Sequence, residues 1–152
     1  MDILKTLMEI LLIGIGCGLL GIPMEAGNED LPLNALLGGI CYGSYLYVSR
    51  ITGNLLLATF AGSLTLAFLA IYLTRRTKKP MQVYLVTSII PLLPGYNIFR
   101  MVLSFIEADY AESLQNANLT LQILALIAIS LIIASSVTRI LKRYFNPKLF
   151  RL

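Results

Sequence analysis

Long apolar stretches, each closed by a short polar or charged one, dominate the chain, and strand-type alternation of apolar and polar positions is absent. The first stretch, Ile10 to Ile22, follows Asp2, Lys5 and Glu9. Its length suits a signal peptide, but the acidic residues and the missing small-residue cleavage site speak against one, and it predicts a membrane helix over Ile3 to Ile22. Met24 to Pro32, with Glu25, Glu29 and Asp30, reads as a polar loop. A second segment, Leu33 to Ser49, is barely long enough to cross. After a turn at 50–54, Leu55 to Leu73 is almost free of charge and ends in Arg75, Arg76, Lys78 and Lys79. An interrupted span follows from Met81 to Ile106, then a loop over 107–118 with Glu107, Asp109 and Glu112. A helix over Leu119 to Ile140 closes the chain ahead of Lys142, Arg143, Lys148 and Arg151. The pattern predicts an all-α, polytopic membrane protein of about five transmembrane segments in one domain over 1–152, or four if the second segment is re-entrant.

Small residues recur at helical spacing, as Gly14, Gly18 and Gly21, as Gly39 and Gly43, and as Ala58 and Gly62. Each set lets a neighbouring backbone approach closely. On another face of the second segment, Gly38, Tyr42, Tyr45 and Ser49 line up. They suit either a polar wall of a substrate path or an interfacial helix whose hydroxyls reach headgroups. Thr59 and Ser63, one turn apart, either face a cavity or bond back to their own helix.

The most distinctive stretch is Ile90-Pro91-Leu92-Leu93-Pro94-Gly95-Tyr96-Asn97, followed by Arg100. Pro91 and Pro94 take the helical partners from the carbonyls of Thr87 and Ile90, and the hydroxyls of Thr87 and Ser88 can replace part of that loss. A helix restarting near Gly95 would turn free amides and a positive dipole end toward a carboxylate. Tyr96, Arg100, Ser104 and Glu107 then share a stripe, with Asn97 a turn before Arg100. A charge at this depth usually faces an aqueous cavity or an ion partner. The alternative is a packed, kinked helix with Arg100 reaching outward to Glu107 and Asp109.

Hydrophobic residues make up 57% of the 152, and the mean hydropathy is +0.79, more apolar surface than a soluble domain of this length buries. The net charge of +4 sits in two short basic clusters. These orient the chain in a bilayer, with loop 75–80 and the C-terminus cytoplasmic and loop 107–118 outside, and they give no reason to expect nucleic acid. Histidine is absent, so proton coupling or a metal site would need other groups. Cys17 and Cys41 lie in apolar segments without CxxC spacing and read as buried thiols. No nucleophile-base arrangement, phosphate loop or metal cluster appears, so neither an enzyme nor a cofactor is expected.

Ala35-Leu36-Leu37-Gly38 through Gly43-Ser44, the small-residue third helix and above all Ile90-Pro91-Leu92-Leu93-Pro94-Gly95 resemble the small, purely membrane-embedded component of the threonine/serine exporter family. The resemblance covers nearly the whole chain. It implies a proton-driven secondary exporter of small hydrophilic amino acids in the bacterial inner membrane, working with a larger membrane subunit that carries a soluble domain. In some relatives the cargo is a dicarboxylate such as succinate. A non-transporting membrane scaffold and a homo-oligomer acting alone are the competing readings. Relatives can carry histidine and arginine where this chain has Tyr42 and Tyr45, so a histidine relay does not carry over, and Glu9 and Glu107 stand as the candidate proton carriers. The expected site for a small anionic or zwitterionic substrate is Pro91, Pro94, Gly95, Tyr96, Asn97 and Arg100, with Tyr42 and Tyr45.

Overall fold

A computed structural model describes residues 2–23, 27 and 29–145. Glu25, Lys148 and Arg151 lie outside the described residues, as do the side chains of Lys142 and Arg143. Six α-helices follow one another: α1 (Asp2–Leu19), α2 (Leu31–Thr52), α3 (Leu55–Thr77), α4 (Gln82–Ile89), α5 (Gly95–Ile106) and α6 (Tyr110–Phe145), with a 3-10 turn at Ile90–Leu92 between α4 and α5. No strand occurs among the described residues. The all-helical expectation therefore stands.

Local chemistry sets the boundaries. α2 is longer than the Leu33–Ser49 segment expected from hydropathy, because Pro32 falls within its first turn, where a missing N–H costs nothing. At 22 residues it is about 33 Å long, enough to cross a bilayer core. It closes on Gly53 at φ 63°, whose N–H donates to the Ser49 carbonyl. Asn54 then caps α3 by accepting from the amides of Leu56 and Leu57. At α1 the correction runs the other way: the helix stops at Leu19, and residues 20–23 are turns.

The expected loop over 107–118 is also corrected. Only Glu107, Ala108 and Asp109 connect α5 to α6, which begins at Tyr110. Asp109 Oδ1 accepts from the Glu112 amide at 3.1 Å, so Asp-x-x-Glu starts the helix between two and three turns before the apolar run does.

α1, α2, α3, α6 and α5 pack side by side in that order, and α4 lies in the crease between α2 and α3. Glycines set the closest approaches. A Cβ on Gly14 would stand 2.8 Å from the Ala35 carbonyl oxygen, and one on Gly38 would stand 2.4 Å from Cys17 Sγ. Across α2 and α3 the buried Cys41 thiol donates to the Gly62 carbonyl at 3.4 Å. α3 and α6 are joined by a buried Ser63–Ser130 hydroxyl pair at 2.8 Å. The core gathers Leu37, Cys41, Leu66, Ala70, Tyr84, Leu92, Ile123 and Ile127 where these helices meet α4 and the 3-10 turn. Both cysteines are free and buried.

Among the described residues two helices, α3 and α6 over Tyr110–Ile140, are long and apolar enough to cross a membrane, and a third span is added if α4 with its 3-10 turn and α5 count as one bent segment.

Candidate functional site

The Pro-x-x-Pro-Gly stretch interrupts the chain where its chemistry requires. α4 runs out at Ile89 into one 3-10 turn, closed by the Leu93 amide donating to the Ile90 carbonyl at 3.1 Å. Leu93, just before Pro94, is extended at φ −68° and ψ 140°, as the pyrrolidine ring demands of its predecessor. The α4 and α5 axes differ by 55° across the break. Within the restart the Gly95 amide donates to the Leu93 carbonyl and the Ile98 amide to the Pro94 carbonyl. The amides of Tyr96 and Asn97 belong to the first helical turn, where the helix itself offers no acceptor.

Thr87 and Ser88 do not repair the break. Thr87 Oγ1 donates back to the carbonyls of Val83 and Tyr84, and Ser88 Oγ donates across to the Asn34 carbonyl of α2 at 3.4 Å. Their hydroxyls fasten α4 internally and to α2, leaving the break open toward the cavity beside it.

That cavity has a volume of about 230 Å³ and is lined by Tyr45 of α2, Leu55 and Thr59 of α3, residues 91–97 and Ile123 of α6. Six expected site residues thus meet around one space: Tyr45, Pro91, Pro94, Gly95, Tyr96 and Asn97. Thr59 joins them while its hydroxyl donates back to the Leu55 carbonyl at 2.9 Å, so the two uses considered for it coexist. A Cβ on Gly95 would meet nothing within 4 Å, which leaves the start of α5 accessible from the cavity. No charged side chain is in the lining.

The other two expected residues lie apart. Arg100 forms an ion pair with Glu112 on α6, with its side chain about a third exposed. Its partner is therefore not Glu107 or Asp109, because the early start of α6 carries Glu112 opposite it. Tyr42 lines a second recess of about 430 Å³ with Leu12, Gly16, Cys17, Ile90 and Pro91. It stacks on Tyr45 with ring centroids 5.7 Å apart, and Pro91 belongs to both linings.

A polar cluster that the sequence reading passed over sits at one end of the bundle. Asp30 precedes α2 and is only 2% exposed. Its carboxylate accepts from Lys79 Nζ at 2.6 Å, from the Tyr84 hydroxyl at 2.8 Å and from the Gly27 amide at 3.1 Å. Tyr84 Oη also lies 2.8 Å from Thr77 Oγ1. Burial pushes the Asp30 pKa up, but the hydrogen bonds from Lys79 and Tyr84, the Lys79 charge and the Gly27 amide together outweigh it and hold the carboxyl below its usual range. Lys79 is shifted up by its hydrogen bond to Asp30. One turn into α2, the Asn34 side chain is fully buried and neither amide atom has a hydrogen-bond partner. An orphan of this kind costs about 1–3 kcal/mol for each unpaired group. The one sequence clue to the cluster is an acid directly before a Leu-Pro helix start, and nothing in chain order ties it to positions 79 and 84.

No group of three or more His, Cys, Asp or Glu side chains among the described residues could hold a metal ion. An all-helical chain with membrane-length apolar helices and a small cavity beside a helix break has the form of a membrane transport protein. The family model described as Threonine/Serine exporter, ThrE, matches residues 9–137. The chain belongs to the threonine/serine exporter family. No solved structure matches it.

Proposed function

We propose that this chain is the membrane-embedded subunit of a proton-driven secondary exporter of threonine and serine, working with a larger membrane subunit in the bacterial inner membrane, and that the cavity beside the break is its substrate site. The observation that carries this reading is the convergence of Tyr45, Thr59, Asn97 and the first-turn amides of α5 on a space of about 230 Å³. That is below the 300 Å³ or so where drug-sized pockets begin, and it suits a small ligand. The first-turn amides would suit a carboxylate, while the hydroxyls and the Asn97 amide offer partners to an ammonium and a side-chain hydroxyl. A lining without a cation favours a net-neutral zwitterion over a dicarboxylate, since Arg100 is engaged by Glu112.

The ends of the bundle support five crossings with a cytoplasmic C-terminus. Asp30 pairs with Lys79, and Arg75 and Arg139 line one recess, so the turns before α2 and after α3 and the far part of α6 share an end rich in cations. α2 packs against both α1 and α3 and is about 33 Å long, which supports counting it as a crossing helix.

Export of labelled threonine, serine and succinate from cells carrying the chain and its larger partner tests the reading. Asn97→Ala and Thr59→Val should each lower threonine export, and Glu112→Ala, by releasing Arg100, should raise succinate export relative to threonine. Unchanged threonine export in both cavity variants, with normal membrane levels, would overturn the assigned site.

A further inference from the structure

We propose that Asp30 is a proton-uptake site, and that its protonation, with release of Lys79, unlatches α4 and so moves the wall of the substrate cavity. Asp30 is the one carboxylate among the described residues that is almost wholly buried; Glu9 and Glu107, the carriers suggested by sequence, are both exposed. Among the described residues, the titratable and charged groups acting on it are Lys79 from the α3–α4 turn and Tyr84 from α4, while Glu29 on its own turn acts on Lys79. Lys79 supplies the only cation in that set, and its side chain is about a third exposed, so it has a path out to water. Once it leaves, burial is opposed by two neutral donors alone, Tyr84 and Gly27, and the neutral acid is more favoured than in the latched form.

Two further observations connect this event to α4. Tyr84 and Ser88 lie one turn apart on α4 and bond respectively to Asp30 and to the Asn34 carbonyl, so both fasten α4 to the start of α2. α4 is eight residues long, about 12 Å, and runs directly into the turn whose Pro91 and Leu92 wall the cavity. Asn34, whose backbone carbonyl takes the Ser88 bond, carries a buried, unpaired side-chain carboxamide. In the unlatched state, a hydroxyl of α4 supplies the partner that this amide lacks.

The use of this latch rests on the transport reading, so the test has one arm that does not. In membrane vesicles from cells carrying the chain and its partner, threonine counterflow and accumulation driven by a pH gradient are measured for wild type, Asp30→Asn and Lys79→Met. The ratio of gradient-driven accumulation to counterflow should fall about tenfold or more in Asp30→Asn. An unchanged ratio would overturn the proposal, as would equal loss of both modes in protein that is folded and in the membrane. Independently, infrared titration of the purified chain reads carboxylic acid directly. Lys79→Met should show a protonated carboxyl band at a pH where wild type shows none, and Asp30→Asn in the same background should lack it. If that band fails to appear the latch is refuted whatever the vesicles do, and if it appears while no variant or wild type transports, proton uptake stands and the exporter reading falls.

Discussion

Adding one methyl group at Gly38 tests the contact that sets the α1–α2 distance. The Cβ of Gly38→Ala would lie 2.4 Å from Cys17 Sγ and 2.6 Å from Cys17 Cβ. The sulfur can rotate away, but the Cβ is fixed by the backbone, so the two helices must part. Overpacking of this severity costs about 3 kcal/mol, the upper end of the usual range, and replacing a mid-helix glycine by alanine returns about 1, for a net loss near 2 kcal/mol. Cys17→Gly removes both contacting atoms, so in the double variant the Gly38→Ala penalty should vanish, a coupling of about 2–3 kcal/mol. Cys17→Ala keeps the offending Cβ and should rescue little. Because the chain has no tryptophan, unfolding by sodium dodecyl sulfate in mixed micelles is best followed by helical circular dichroism. A Gly38→Ala protein as stable as wild type, or equal rescue by Cys17→Ala and Cys17→Gly, would refute the packing argument.

Three further outcomes follow from the described contacts. Ser130→Ala, which removes the Ser63–Ser130 bond, should cost about 0.6 kcal/mol and no more than about 2 in the same unfolding assay, checked by a cycle with Ser63→Ala. The Asp30–Lys79 pair gives stability a pH window. The Asp30 contribution is present above its ordinary value near 3.8 and is lost as pH falls through the lowered folded value, whereas that of Lys79 is present below 10.5 and is lost as pH rises through its raised folded value. Melting temperature measured against pH should fall off at both ends for wild type and flatten in Asp30→Asn; parallel profiles would show that the pair contributes nothing. Glu112→Gln should lower the melting temperature only slightly, since both partners of the Arg100 pair are about a third exposed, and high salt should shrink the difference between variant and wild type.

The break was the most legible feature of the sequence, because two prolines and a glycine act on the backbone at their own positions and need no distant partner. The small-residue contacts were legible for a similar reason, since Gly14, Gly39 and Gly62 carry their packing consequence in their lack of a side chain. Hydropathy misled at helix ends. It left Pro32 in a loop and nine residues, 110–118, outside the last helix, because it is blind to capping by Asp109 and to proline in a first turn. Tyr45 was grouped with the break through the family resemblance, whereas Thr59 and Ile123 could be joined to it only in three dimensions, as they come from two other helices. Arg100 was read with its near neighbours, yet its partner Glu112 lies one turn beyond a reversal of the chain. Asp30, Lys79 and Tyr84 were each visible as residues, and their meeting was not.

α5 makes its main packing contact with α6 alone and joins α4 through just Leu93 and Pro94 outside regular structure. Ile98, Phe99, Val102, Phe105 and Ile106 face outward from it. α5 is therefore a cantilever held along one side by α6, and its free side bears on the lipid chains or on a neighbouring subunit. Force applied there has two short routes to the cavity, the 55° bend beside it and α6, whose Ile123 lines the same space. Bilayer thickness and lateral pressure should accordingly tune how fast this protein turns over, in membranes of identical charge and with every cavity residue unchanged.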